Sequence, residues 1–415
     1  MIERAPSAAV AFWLFAFVAL ANFGNFYVYD SIGPVADLLQ RDRGFSDTQI
    51  GWLNAVYNLP NIVLVLVGGW LVDRQGAARV LVATGAICLA GALLTALGPG
   101  FEAMTAGRLL FGIGAETFNV ATLAAIVKHF SGPHLALALG GSIALGRAGA
   151  FAVDLSPTWA ADAYAQGWQP PLLIAAAFAL LSFATAVGYA WLDRGRDEAR
   201  GAAECVALHD PLRFGRPFWF LLALGTLWYA TLIAFRSTFS IKYFQHAHGL
   251  SLDTAGAYNA AVYLAALFAT PIFGWLCDRL GRFAPFLAFG ALLLPLSFAA
   301  MAFGGMPLWI GTALIGVSFS LVPAVLWPLV ARLVPAERLG TALALLSVAM
   351  NAGTAGANLA AGALNDAFGA GAAHPAGYAP MMLFFLACGA VAAAFAVALW
   401  LTAGRRRHEA ARATP

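Results

Sequence analysis

Long apolar segments follow one another along almost the whole chain, separated by short polar stretches. A membrane-spanning helix needs roughly 20 consecutive, mostly apolar residues, so the pattern predicts about twelve transmembrane helices. Glycine recurs inside several of these segments, which favours close approach between neighbouring helices in lipid. The predicted helices lie at 9–38, 46–72, 78–98, 101–129, 134–160, 169–192, 217–246, 252–277, 283–303, 306–333, 337–366 and 378–403.

One long charged run interrupts the apolar pattern. It begins at Asp193 with D-R-G-R-D-E-A-R-G and divides the predicted helices into two equal sets. The fold class expected is therefore an all-α membrane protein built from two six-helix bundles. The predicted parts are an N-terminal bundle at 1–192, a cytoplasmic linker at 193–216, a C-terminal bundle at 217–403 and a cytoplasmic tail at 404–415.

Composition agrees with a membrane protein and excludes several other classes. Apolar residues make up 61% of the chain and charged residues 10%, whereas a soluble domain is about half apolar and a quarter charged. A net charge of +3 gives no signature of nucleic-acid binding. The four scattered cysteines suggest neither a disulfide framework nor a metal site. No nucleotide-binding or catalytic motif stands out, so we expect no enzyme activity, no cofactor and no metal.

A short phrase occurs twice, about half a chain apart. Residues 69–76 are G-W-L-V-D-R-Q-G and residues 274–281 are G-W-L-C-D-R-L-G. Each copy closes the second predicted helix of its half, which indicates that the chain contains a duplicated unit.

This phrase resembles the loop motif of the major facilitator superfamily, whose members are two-lobed transporters. The resemblance implies that the motif aspartate forms a cytoplasmic gate by meeting the positive N-terminus of a neighbouring helix and nearby arginines. The segment that contains Glu337 and Arg338 begins the eleventh predicted helix and is the expected counterpart. A plain basic loop is the alternative interpretation. The predicted gate residues are Gly69, Asp73, Arg74, Gly76, Gly274, Asp278, Arg279, Gly281, Glu337 and Arg338.

The distribution of basic residues predicts an orientation. With the charged linker on the cytoplasmic side, only Arg41, Arg43 and Lys242 fall on the opposite side of the membrane. Because Lys and Arg concentrate on the cytoplasmic side of membrane proteins, both termini are expected in the cytoplasm. We expect a monomeric protein of the inner cell membrane, surrounded by the lipid bilayer.

Two opposite charges on neighbouring predicted helices are the main candidates for substrate binding. Glu116 lies in the fourth predicted helix and Arg147 in the fifth. Ionisable groups inside a membrane are costly and usually mark a pathway or a pair. Glu116 could bind an ammonium group and Arg147 a carboxylate, which together would hold a zwitterion. A purely structural salt bridge between the two helices is the alternative.

Other polar residues inside predicted helices remain open. Arg108 and Asn119 share the face of Glu116, and Arg108 could simply anchor its helix. Asp154 could pair with Arg147, relay a proton or cap an outer gate, and Asp30 could merely lie near a helix end. We treat Asp30, Arg108 and Asp154 as possible proton or charge relays. Further candidate substrate contacts are Asn119, Tyr29, Tyr57 and Arg236.

A narrower resemblance is carried by several stretches spread over nearly the whole chain. The sequence is similar to the lysosomal dipeptide uniporter branch of the superfamily, which implies that Glu116 and Arg147 bind the two ends of a dipeptide. Arg236 departs from that branch and would favour a more anionic substrate. The matching stretches are Asn61–Leu64, Gly68–Arg74, Tyr29–Asp30, Gly107–Glu116, Gly146–Gly149, Leu326–Ala331, Val334–Pro335, Leu339–Ala342 and Asn351.

The sequence therefore predicts a secondary transporter that moves a small zwitterionic solute, above all a dipeptide, by alternating access at one site between two lobes. One alternative is a carrier of organic anions or carboxylates that uses Arg147 and Arg236. Another is a membrane receptor or scaffold without transport activity. The expected partner is a small molecule in each case.

Overall fold

The computed structural model describes residues 8–194, 214–281, 283–303 and 306–413. Within those ranges the structure is helical, without strands beyond an isolated antiparallel bridge between Gly371 and His374. Among the described residues, eleven helices are long and apolar enough to cross a membrane, or twelve when the bent pair Asp47–Leu64 and Val67–Gln75 is counted as one span. The predicted all-α membrane architecture is confirmed.

The chain forms two compact units. The first contains residues 1–45 and 52–205, and the second contains residues 46–51 and 206–415. Residues 195–213, which include most of the predicted linker, lie outside the described residues. A short segment from the N-terminal half of the sequence, Ser46–Gly51, thus belongs to the second unit.

The first unit is built from helices that run through most of the N-terminal half of the chain. The helix α3 spans Asp47–Ala55, and its residues from Trp52 onward belong to this unit. The other helices are α1 (Ala8–Tyr29), α2 (Ile32–Arg43), α4 (Asn58–Gln75), α5 (Ala77–Leu97), α6 (Phe101–His129), α7 (Gly132–Asp154), α8 (Ser156–Trp159), α9 (Ala161–Ala165) and α10 (Gln169–Leu192).

Two predicted helices of this unit are broken, and a proline follows each break. Proline has no N–H to donate to the carbonyl four residues earlier, and its ring clashes with that carbonyl. Pro34 lies four residues after Asp30, where α1 gives way to α2. Pro60 lies four residues after Val56, where α3 gives way to α4. The second predicted helix also turns by 62° between Leu64 and Val67.

The second unit has its own extensive core of buried apolar side chains, centred on Trp228, Phe235 and Phe298. Its helices are α11 (Arg216–Ala234), a π-helical turn (Phe235–Phe239), α12 (Ser240–His248), α13 (Leu252–Leu280), α14 (Phe283–Ala302), α15 (Leu308–Leu333), a 3₁₀ turn (Ala336–Arg338), α16 (Leu339–Ala367), a 3₁₀ turn (Pro375–Tyr378) and α17 (Ala379–Ala413).

Candidate functional site

Arg108 on α6 is buried and joins the two helix breaks of the first unit. Its Nε donates a hydrogen bond to the Leu53 carbonyl at 3.1 Å. Its Nη1 bonds the Val28 carbonyl at 3.1 Å, and its Nη2 bonds the Tyr29 carbonyl at 3.0 Å. Nη2 also bonds Asn54 Oδ1 at 2.7 Å. Because a broken helix leaves carbonyls without intrahelical donors, this guanidinium satisfies groups that the breaks expose.

The aromatic residues beside these breaks pack together. The rings of Tyr29 and Tyr57 meet edge to face with centroids 4.5 Å apart. The guanidinium of Arg108 lies 4.9 Å from the centre of the Tyr57 ring. Asp30 is buried within the first break. The structure therefore brings four of the predicted site residues into one polar cluster at the helix breaks.

Glu116 and Asn119 occupy the middle of α6, one turn apart on the same face. Glu116 is partly buried. Gly112, one turn before Glu116, lies so close to α4 that a Cβ atom there would be 2.3 Å from the Tyr57 carbonyl oxygen. This glycine thus allows α6 to pack closely against the backbone at Tyr57.

Arg147 occupies α7, which packs against both α1 and α6 in the same unit. The contact with α1 is tight, because a Cβ atom at Gly149 would lie only 2.0 Å from the Phe23 carbonyl oxygen. Arg147 is partly buried. Asp154, seven residues later, is buried and is the last residue of α7.

Two asparagines on α1 reach the helices that carry the predicted charge pair. Asn22 Nδ2 donates hydrogen bonds to the Ser142 carbonyl at 3.0 Å and to Ser142 Oγ at 3.3 Å. Asn25 Nδ2 contacts Asn119 Oδ1 at 3.5 Å. Sequence reasoning missed both residues, although polar residues within an apolar helix are the signal that could have identified them.

Arg236 lies in the second unit, in the π-helical turn between α11 and α12. It is buried, and its guanidinium lies 4.2 Å from the centre of the Tyr263 ring. Its carbonyl oxygen accepts hydrogen bonds from Ser240 Oγ at 2.8 Å and from Asn259 Nδ2 at 3.1 Å. Such π-helical turns occur often at functional sites because they open the regular hydrogen-bond ladder.

The first copy of the repeated motif is exposed in this structure. Asp73 and Arg74 at the end of α4 are both exposed, and the Arg74 guanidinium stacks on the Trp70 ring at 5.2 Å. Gly76 follows with a φ of +85°, which favours glycine. No described atom lies within 4 Å of the position that a Cβ would take at Gly69.

The second copy repeats these features at the end of α13. Arg279 stacks on Trp275 at 5.1 Å, and Gly281 has a φ of +59°. A Cβ at Gly274 would likewise meet no described atom within 4 Å. The side chain of Asp278 lies outside the described residues. The predicted counterparts Glu337 and Arg338 form part of the 3₁₀ turn before α16, and Glu337 is exposed.

A polar cluster that the sequence did not predict lies in the second unit. Lys242 on α12 forms a buried ion pair with Asp47. The carboxylate of Asp366 on α16 accepts hydrogen bonds from the backbone N–H groups of Asp47 and Thr48, both at 2.8 Å. Asp366 thus caps the N-terminus of α3, where negative charge is favourable.

The chain belongs to the Major Facilitator Superfamily, whose sequence model matches residues 18–240 and 222–415. It is therefore a multi-pass membrane transporter and not an enzyme. The sequence is 29% identical over 403 residues to the lysosomal dipeptide transporter MFSD1 of Danio rerio. The aligned region covers 93% of this chain and 85% of that protein.

Two solved structures share the fold. The nucleoside transporter NupG, solved as a point mutant, has a TM-score of 0.76 at 13% identity and covers 93% of this chain and 99% of that one. A bacterial homologue of the human lysosomal transporter Spinster, in an inward-facing and unoccupied conformation, has a TM-score of 0.73 at 17% identity and covers 96% and 98%. These likenesses show a common fold.

Proposed function

We propose that this protein transports dipeptides or closely related small zwitterions by alternating access. Glu116 binds the substrate ammonium group and Arg147 binds its carboxylate. The observation that carries this proposal is the placement of opposite charges on α6 and α7, two helices that pack together within one membrane-embedded unit. Such charges are costly in a bilayer, so a role in binding or pairing is expected.

The relatives support the same substrate class. MFSD1 of Danio rerio is named a lysosomal dipeptide transporter, and the likeness extends over most of both chains. A dipeptide presents one ammonium and one carboxylate at a fixed separation. Charge-assisted hydrogen bonds to both ends would select it over a solute that carries a single charge.

Uptake into proteoliposomes tests this proposal. Alanyl-alanine should accumulate, whereas its N-acetylated and C-amidated forms should compete poorly. Glu116→Gln and Arg147→Gln should each reduce alanyl-alanine uptake by about tenfold or more, since each removes one charge-assisted bond. The matched controls are Glu102→Gln and Arg79→Gln, which neutralise exposed residues of the same type. Full uptake by both site variants would refute the assignment.

A second candidate is a carrier of organic anions that uses Arg147 and Arg236. It is supported by the buried position of Arg236 in a π-helical turn. Under this alternative, succinate should be transported, Arg236→Gln should abolish that transport, and N-acetylation of a peptide should have no effect. Running both substrate series on the same variants separates the two candidates.

We also propose that the repeated motif acts as a cytoplasmic gate and that transport is uniport. In this proposal the Asp73 carboxylate is exposed in one state of the cycle and is held by a positive helix N-terminus and arginine in another. The excess of arginine on one side of the predicted helices supports cytoplasmic termini in the inner membrane.

Uptake with and without an imposed pH gradient tests uniport directly.

A further inference from the structure

The helix α1 carries two buried carboxamides one turn apart. The side chain of Asn22 is 7% exposed and that of Asn25 is 4% exposed. Both use Nδ2 to reach a neighbouring helix, Asn22 toward Ser142 on α7 and Asn25 toward Asn119 on α6. The Ser142 carbonyl can only accept, so it fixes the orientation of the Asn22 amide.

The oxygen atoms of these two amides have a different environment. Oδ1 of Asn22 and Oδ1 of Asn25 are buried and accept no hydrogen bond from any group in the described part of the chain. Most buried polar side-chain atoms in proteins are paired, since an unmade hydrogen bond in the interior is destabilising. Two such acceptors lie one turn apart on α1, where each can accept a hydrogen bond from a bound N–H donor.

Asn22 and Asn25 lie close to the segments that carry Glu116 and Arg147. Asn25 reaches Asn119, which lies one turn from Glu116 on the same face of α6. A Cβ at Gly146 would lie 3.1 Å from Asn22 Nδ2, and Arg147 is the next residue. The two acceptors on α1 thus neighbour the segments that carry both charges. In a dipeptide, the peptide N–H lies between the ammonium and the carboxylate.

We propose that Asn22 and Asn25 form a subsite on α1 for the N–H donors of a peptide substrate. Asn25 Oδ1, on the side of Glu116, accepts an N–H of the ammonium group. Asn22 Oδ1, on the side of Arg147, accepts the N–H of the peptide bond. This inference rests on the proposed dipeptide function and deepens it. It explains how the protein distinguishes a peptide from another zwitterion of the same length.

The test compares two ligands on the purified full-length protein. Alanyl-alanine contains the peptide N–H, and the depsipeptide alanyl-lactate replaces that N–H with an ester oxygen but keeps both charged ends. Wild-type protein should bind alanyl-alanine about tenfold more tightly, as expected for one lost hydrogen bond that leaves a buried acceptor unpaired. Affinities are measured by isothermal titration calorimetry.

Variants then test which asparagine produces the preference for alanyl-alanine over alanyl-lactate. Asn22→Leu keeps the side-chain size but removes the acceptor, so it should bind the two ligands within about twofold. Asn22→Asp, whose carboxylate can accept from Ser142 Oγ, keeps an acceptor and should retain the preference. Asn25→Leu should weaken both ligands equally. The matched control is Asn58→Leu, because the buried Asn58 amide donates only to the Asn54 carbonyl, across the break between α3 and α4, among the contacts described.

The possible results separate this inference from the proposed function. If wild-type protein binds alanyl-alanine and alanyl-lactate equally, the subsite is refuted while dipeptide binding stands. The same holds if Asn22→Leu keeps the wild-type preference. If wild-type protein binds neither ligand, the dipeptide function fails and the subsite fails with it. The wild-type comparison remains decisive even if Asn22→Leu does not fold.

Discussion

Lys242 Nζ and Asp47 Oδ1 form an ion pair in which each side chain is only 1% exposed, although 195 residues separate them in the sequence. Asp366 holds the adjoining backbone of α3 by two further hydrogen bonds. The helix α16 also packs closely against Asp47, since a Cβ at Gly362 would lie 2.4 Å from the Asp47 carbonyl oxygen. This cluster fixes the segment Ser46–Gly51 within the second unit.

Breaking this ion pair should destabilise the protein strongly. Lys242→Met leaves the Asp47 carboxylate buried without its cation, which should lower the free energy of unfolding by about 3–5 kcal/mol. Combining it with Asp47→Asn should recover much of that loss, because neither charge then remains buried. Thermal and denaturant unfolding in detergent would measure both, with the exposed Asp162→Asn as control. Strictly additive losses would show that the two residues are not energetically coupled.

Arg108 should be important for stability. Arg108→Leu removes the hydrogen bonds that the guanidinium donates to the Tyr29 and Leu53 carbonyls and to Asn54 Oδ1, and the Val28 carbonyl keeps those from Ser31. The expected loss is about 3–5 kcal/mol. Arg108→Lys should recover only part of this, because an ammonium cannot match the planar fork of donors. The exposed Arg79→Gln should change stability by less than about 0.5 kcal/mol. If Arg108→Leu unfolds like wild type, the guanidinium does not stabilise the breaks.

The two glycines of the first motif copy should respond differently to alanine. Gly76→Ala places a Cβ at a φ of +85° and should cost about 1–2 kcal/mol. Gly69→Ala lies within α4 with open space around it, so it should raise stability by up to about 1 kcal/mol. Thermal unfolding measures both effects.

Transport by Gly69→Ala then tests the proposed gate. If another helix approaches Gly69 closely during the cycle, uptake should fall although stability does not. Normal uptake by a stable Gly69→Ala protein would indicate that the close approach expected of the gate does not occur at this position.

Asp193, just beyond the end of α10, should make stability depend on pH. Burial alone would raise its pKa, but hydrogen bonds from His129 and Lys128 lower it overall. A carboxyl group with a lowered pKa in the folded protein contributes stability above its unfolded pKa of about 3.9. That contribution is lost as the pH falls through the folded pKa. Asp193→Asn should therefore lower the melting temperature at pH 7 and converge on wild type below about pH 4.

The pH dependence of the melting temperature shows whether the Asp193 carboxylate charge stabilises the fold. A gap between wild type and Asp193→Asn that stays constant from pH 7 to pH 3 would mean that the carboxylate charge does not stabilise the fold. Comparing Lys128→Met in parallel identifies how much of the effect depends on the ammonium group 2.9 Å from Asp193.

The helices and the duplication could be predicted because both are local properties of the sequence. A bilayer demands apolar runs of a fixed length, and these runs are visible without any structure. Pro34 and Pro60 also mark the two helix breaks locally. The breaks were nevertheless not predicted, since a proline within an apolar run is compatible with either a kink or an interruption.

The polar contacts could not be predicted in the same way. Lys242, Asp47 and Asp366 come from three distant segments, and no spacing rule connects them. The π-helical turn at Arg236 adds a residue to the helical turn and shifts the register that follows. Tyr243, seven residues after Arg236, donates a hydrogen bond to the Met301 carbonyl on α14. The roles of Glu116 and Arg147 as a substrate clamp stay a prediction.

The position of Arg108 on α6 constrains how a ribosome can deliver this protein to the membrane. The carbonyl groups of Tyr29 and Leu53 are synthesised before Arg108, whose guanidinium donates hydrogen bonds to them. Lipid offers them no hydrogen bond. The early part of the nascent chain must therefore stay close to water or to the insertion machinery until the fourth transmembrane segment emerges.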